Sequence, residues 1–130
     1  MKLPIQLEKS SREPIYHQIE KQLQALIAGG HLKPDSSLPS IRVLSKDLGV
    51  SVITTRRAYQ NLEHAGFIKT IQGKGTYVAE IDQLVIDETK SEAVEEAFTS
   101  AIRTAFNYDY SSEQIKELVN QLLEVNKGGE

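Results

Sequence analysis

The sequence predicts a mainly α fold: three helices and a two-stranded β-hairpin, followed by two further helices. Three observations carry that expectation. Apolar residues recur at helical spacing in separate segments. Gly29-Gly30, Gly49 and Gly66 fall where the first three segments lose their periodicity, and Gln72-Gly73-Lys74-Gly75 divides two short β-prone runs. A length of 130 residues suits one domain, or a small domain with a short appendage, and suffices to bury a core.

Pro14 suits a first helical turn, and Ile15, Ile19, Leu23, Leu26 and Ile27 follow on one stripe until Gly29 and Gly30. After a turn-rich His31–Leu38, a second helix begins near Ser40, with Ile41, Leu44 and Leu48 apolar and Gly49 as its stop. Ser51 is placed to cap a third helix that buries Thr55, Ala58, Leu62 and Ala65 and exposes Val52, Ile53, Arg56, Arg57 and Gln60. Phe67–Ile71 and Thr76–Ala79 read as the strands of the hairpin. Beyond Glu80 a long helix carries the stripe Val94, Phe98, Ala101, Ile102, Ala105 and Phe106. Ser111 and Gln114 then form a capping box for a last helix with Ile115, Leu118, Val119 and Leu122, and Lys127–Glu130 is expected to fray. The expected domains are residues 1–80 and a short helical dimerisation region, 81–130, in which the last helix covers part of the long helix's stripe and the second subunit of a homodimer covers the rest.

Composition narrows the function. The chain has no cysteine, which removes disulfides, thiolate metal sites and thiol nucleophiles and suits a reducing cytosol. No apolar run has the length of a membrane span, and Met1–Ser11 lacks the apolar stretch of a signal peptide, so a cytoplasmic protein with no membrane partner is expected. His17, His31 and His64 are dispersed and lack the i, i+4 spacing of a metal pair, so no metal and no other cofactor is expected. A nucleotide loop around Gly73-Lys74 lacks both the earlier glycine and the following helix. No nucleophile with a base and no cofactor fingerprint suggests an enzyme. The net charge of −3 is unevenly spread: residues 1–80 hold 11 Lys/Arg against 7 Asp/Glu, and residues 81–130 hold 4 against 11. A basic N-terminal part can meet phosphates; an acidic C-terminal part is repelled by them.

A helix, a Gly-containing turn, a helix with a basic outer face and a following hairpin make a winged helix-turn-helix, in which the third helix enters the major groove of double-stranded DNA. Its N-terminus at Ser51 favours an anion, with the Thr54 hydroxyl beside it. Arg56 and Arg57 can reach phosphates or donate in pairs to guanine, and Val52 or Ile53 can touch thymine methyl groups. Lys74, between two glycines, can approach the backbone at a narrow hairpin tip.

At these residues the sequence resembles the GntR family of bacterial regulators over Pro14–Val78. The matching text is Leu38-Pro39-Ser40-Ile41-Arg42, Leu48-Gly49-Val50-Ser51, Arg57-Ala58-Tyr59 with Leu62-Glu63, Gly66-Phe67-Ile68, and Gly73-Lys74-Gly75-Thr76-Tyr77-Val78. The Arg-Ala-Tyr form and the two-helix tail resemble its YtrA-like subfamily. The resemblance implies that Arg42, Ser51, Thr54 and Arg56 contact DNA, that Gly73 sits at the wing tip, and that the protein represses transcription. Asp35 stands where the family usually has glycine, which touches only a surface turn and is expected to matter little. Val52 and Ile53 replace residues that are commonly more polar, so the operator sequence does not transfer from relatives.

Each of these residues also has a plainer reading. Arg42 can pair with Asp47 or Glu63, Gly73-Lys74-Gly75 can be only a good turn, and surface arginines are usually just solvated. Tyr16, Tyr59 and Tyr77 read as core-edge residues rather than base-stacking platforms. A winged-helix module that docks a protein through Val52-Ile53 and never touches DNA is the alternative function.

Overall fold

In the computed structural model, residues 2–127 are described, and the chain divides after Lys90 into two compact units. The elements are α1 (Ile15–Ala28), β1 (Ser37–Leu38), α2 (Ile41–Leu48), α3 (Val52–His64), β2 (Ile68–Ile71), β3 (Gly75–Val78), α4 (Gln83–Asn107) and α5 (Ser112–Val125). The expected fraying lies, beyond Lys127, outside the described residues.

In the first unit α1 packs on α3 and α2 on α3. Pro14 is the N-cap of α1 rather than its first residue, and its carbonyl accepts from the amides of His17 and Gln18. The predicted stripe of α1 points inward: Ile19, Leu23 and Ile27 are buried and Ile15 and Leu26 half-buried. They meet Leu44 from α2, Ala58, Tyr59 and Leu62 from α3, and Phe67, Ile68 and Val78 around the hairpin. This is one close-packed apolar core. Ala65, expected inside, is exposed, because α3 ends at His64 and the chain turns at Ala65 and Gly66. Tyr59 takes the burial instead: it is 4% exposed, and its hydroxyl donates to the Pro39 carbonyl at 2.7 Å. Burial raises the Tyr59 phenol above its ordinary pKa, so it remains a neutral donor tying α3 to the start of α2.

Two further features of the first unit depart from the expected fold. The hairpin is part of a three-stranded antiparallel sheet of order β1-β3-β2, because Ser37 and Leu38 pair with Tyr77 and Thr76. Two residues flanked by Pro34 and Pro39 show no period-two pattern, which is why this strand reads as a turn in the sequence. The second departure is the segment before α1, where Leu3 and Ile5 are buried in the core. Two α1 glutamines hold it. The Gln22 side chain accepts from the Gln6 amide at 2.9 Å and donates to the Gln6 carbonyl at 2.7 Å; Gln18 accepts from the Glu8 amide at 2.8 Å and donates to the Glu8 and Glu13 carbonyls at 3.0 and 2.9 Å. Each primary amide offers one donor side and one acceptor, so it pairs with an extended backbone as a neighbouring strand does.

In the second unit, α5 begins with the expected capping box: the Ser111 hydroxyl accepts from the Gln114 amide, and the Gln114 side chain accepts from the Ser111 amide. The sequence assigned α5 as a partner covering part of the α4 stripe, yet the two helices share little contact. Val94, Phe98, Ile102 and Phe106 are therefore all exposed, as are Leu118 and Leu122. Among the described residues no helix is long and apolar enough to cross a membrane, and no group of His, Asp or Glu is placed to hold a metal ion.

Candidate nucleic-acid interface

The turn between α2 and α3 sets the direction of the exposed helix. Ser40 caps α2, its hydroxyl accepting from the Val43 amide at 3.1 Å. At the other end Gly49 adopts φ 69°, the left-handed region that costs a residue with a Cβ about 1 kcal/mol. That conformation lets the Val50 amide bond back to the Ser45 carbonyl at 3.0 Å and the Gly49 amide to Lys46, closing the helix in a Schellman motif. One residue later Ser51 caps α3. Its hydroxyl accepts from the Thr54 amide at 3.1 Å and donates to the Thr54 hydroxyl at 2.9 Å. Thr55, fully buried beneath this turn, donates to the Ser51 carbonyl at 3.3 Å.

With Thr55, Ala58, Tyr59 and Leu62 inward, helical geometry sends Ile53, Arg56, Arg57 and Gln60 to solvent, and all four are exposed. Val52 and Thr54 are half-buried, and Ser51 is exposed at the helix start. Arg42 is exposed on α2, and neither Asp47 nor Glu63 pairs with it. Glu63 is occupied elsewhere, accepting from the Thr70 amide at 3.1 Å.

The wing is a tight hairpin. Ile71 pairs with Gly75, and the Lys74 amide donates to the Ile71 carbonyl at 2.9 Å across Gln72 and Gly73. Gly73 has φ 81° at the third position of this turn, where a positive angle is required. Lys74 is exposed at the tip. Lys69 on the same wing has a counter-charge: Asp35 pairs with it at 2.5 Å, and that hydrogen bond holds the ammonium above its ordinary pKa. Among the described residues, Arg42, Arg56, Arg57 and Lys74 make no ion pair. Four uncompensated cations thus sit on α2, on α3 and at the wing tip.

Residues 15–78 match the family of "Bacterial regulatory proteins, gntR family". Over 125 residues the chain is 33% identical to the HTH-type transcriptional repressor YtrA of Bacillus subtilis (strain 168), covering 96% of both chains. The chain belongs to the GntR family, in its YtrA-like branch. The family and this relative are regulators, not enzymes. Among solved structures, a GntR family transcriptional regulator from Listeria monocytogenes superposes with a TM-score of 0.75 at 28% identity, over 88% of this chain and 98% of that one. AraR(DBD) in complex with operator ORX1 aligns at TM-score 0.54 and 29% identity, over 61% of this chain and 99% of that one.

Within this GntR chain, the Asp35 position is more than a neutral exchange in a loop. Asp35 has φ 67°, its amide donates to the Val78 carbonyl at 2.8 Å, and its carboxylate takes Lys69. A left-handed backbone explains why glycine suits the site, and Asp is among the few other residues that tolerate it. Sequence reading also missed the neighbour of Arg57. The guanidinium carbon lies 3.8 Å from the centroid of the Tyr16 ring on α1, a long-range contact that no local spacing signals.

Proposed function

We propose that this chain is a sequence-specific DNA-binding transcriptional regulator that acts in the cytoplasm as a repressor, as a homodimer on an imperfect palindromic operator. Residues 1–80 form the DNA-binding domain and residues 81–130 the dimerisation region. The observation that carries the reading is the set of unpaired cations Arg42, Arg56, Arg57 and Lys74 around a capped, solvent-facing helix N-terminus. Ser51 and Thr54 present the α3 N-terminus to a phosphate; Arg42 and Lys74 hold the backbone on either side; Gly73 lets the wing tip approach closely. Arg56 and Arg57 reach the major groove or its edge, and Val52 lies against a thymine methyl. Support for a two-fold dimer comes from the open stripes of α4 and α5, and support for repression from the similarity to a repressor along nearly the whole chain. No cofactor is assigned.

A second reading, a winged-helix module that docks a protein, is favoured by one observation: Ile53 at the start of α3 is 77% exposed. Salt separates the two. If half of the dimer's cations touch phosphate, affinity for duplex DNA falls with a log–log slope of about −4 as salt rises, whereas a contact centred on Ile53 is insensitive. Selection from random duplexes, followed by this titration on the winning sequence, is the experiment. A flat salt response with no enriched sequence refutes DNA recognition.

A further inference from the structure

The contact between Arg57 and Tyr16 has a counterpart one turn further along both helices. The Asn61 side chain on α3 donates to the Glu20 carboxylate on α1 at 2.9 Å. Tyr16 and Glu20 are four residues apart, and so are Arg57 and Asn61, so two rungs tie the same faces of α1 and α3. The second rung is polar and fixes register. The first joins a half-buried ring to an exposed cation that has no carboxylate partner among the described residues.

An unpaired arginine on a helix surface ordinarily samples many rotamers, and ordering it at a phosphate or base costs conformational entropy. Stacking removes much of that freedom beforehand. A guanidinium whose flat face rests on a ring keeps its five N–H donors in the plane and free of the ring, so an arginine held in this way keeps its full donor capacity and charge. An ion pair in the same place would consume both.

We propose that Tyr16 is a positioning residue for DNA recognition: its ring holds Arg57 pre-ordered on the exposed face of α3, so that a residue of α1, outside the helix-turn-helix, sets affinity and specificity. This rests on the DNA-binding reading of Arg57. A cation over a tyrosine at an exposed site contributes a factor of about two to five in affinity.

The probes are a duplex selected by the wild-type protein from random sequence and an unselected duplex, titrated with the full chain. Tyr16→Leu should weaken binding to the selected duplex about two- to fivefold, and Tyr16→Phe, which keeps the ring, should restore it. In an Arg57→Ala background Tyr16→Leu should change nothing further. Asn61→Ala, which breaks only the second rung, should lower the urea midpoint without reproducing the loss, since it leaves the stack in place. The proposal is overturned if Tyr16→Leu costs the same with and without Arg57, if Tyr16→Phe fails to rescue, or if Asn61→Ala mimics Tyr16→Leu. An Arg57→Ala chain that binds at full strength while Arg56→Ala does not overturns this inference alone. A wild-type chain that binds neither duplex overturns the DNA-binding reading, and this inference with it.

Discussion

Replacing Phe98 by alanine should dissolve the proposed dimer while leaving the winged unit folded. Phe98 is 53% exposed in the single chain, alongside Val94 at 57% and Phe106 at 50% on the same α4 stripe. A phenylalanine side chain presents about 200 Å², so about 100 Å² of it is left to cover. At about 25 cal/mol per Å² that area is worth about 2.5 kcal/mol per protomer. In a two-fold interface the same residue is buried twice, giving about 5 kcal/mol, of which the alanine methyl retains about a fifth. The dimer constant should therefore weaken by about a thousandfold. Differences between variants are better founded than absolute area sums, which is why a truncation to alanine is the informative change. Sedimentation equilibrium across a wide concentration range measures the constant, and operator titration should lose cooperation between half-sites in parallel. Phe98→Ala that remains dimeric at wild-type strength refutes the assignment of the stripe to the interface. Deletion of residues 81–130 serves as the limiting case: a deleted chain that still dimerises would place the interface in the winged unit.

The remaining predictions concern the first unit. Arg56→Ala should cost about 1–3 kcal/mol in specific binding at unchanged circular dichroism, whereas Lys74→Ala should weaken selected and random duplexes by the same smaller factor; equal losses on selected DNA only, for both variants, would contradict the division into base and phosphate contacts. Tyr59→Phe leaves the Pro39 carbonyl without its donor at 2.7 Å and should destabilise the unit by about 1 kcal/mol in urea melts; an unchanged midpoint would show that this bond does not hold α3 to the start of α2. Gln18→Leu strands the Glu8 amide and the Glu8 and Glu13 carbonyls, so it should cost about 2 kcal/mol and expose the first eight residues to protease. Protease resistance equal to wild type would show that Gln22 alone retains the segment.

What the sequence made legible follows the range of the interactions involved. The starts of α2, α3 and α5 were readable because Ser40, Ser51 and Ser111 bond to amides three residues away, and Gly49 stops α2 through contacts within five residues. The hairpin was readable because its turn is local. β1 was not, because its identity lies in its pairing with Tyr77 and Thr76, some 40 positions away in sequence. The same limit hid the clamped N-terminal segment: Gln18 and Gln22 sit on the polar flank of an amphipathic helix, and nothing local says that their amides will close on a backbone instead of water. For the site, the sequence supplied the candidate cations but not which were free. That required knowing that Glu63 takes the Thr70 amide rather than Arg42, and that Arg57 lies on Tyr16.

These long-range contacts together explain how a small unit can hold a recognition surface rigidly. α3 has 13 residues, a length at which an isolated helix is marginal in water, and its exposed face adds only the Arg57 contact with Tyr16. Its order must therefore come from its inner face and ends. Ser51 fixes the first turn, Thr55 and Ala58 seat it on the core, Tyr59 ties it to Pro39 at the entry to α2, and Asn61 ties it to Glu20 on α1. Thr55, Ala58 and Tyr59 face away from the exposed row Ile53, Arg56 and Gln60, and Asn61 lies one turn beyond Arg57 where that row meets α1. On the proposed DNA-binding reading, separation of this kind lets the outer row change with the operator while the inner one keeps the helix in place. The exception is Arg57, the one outer residue that is also held from within, and it marks where a change in α1 would be read out at the DNA.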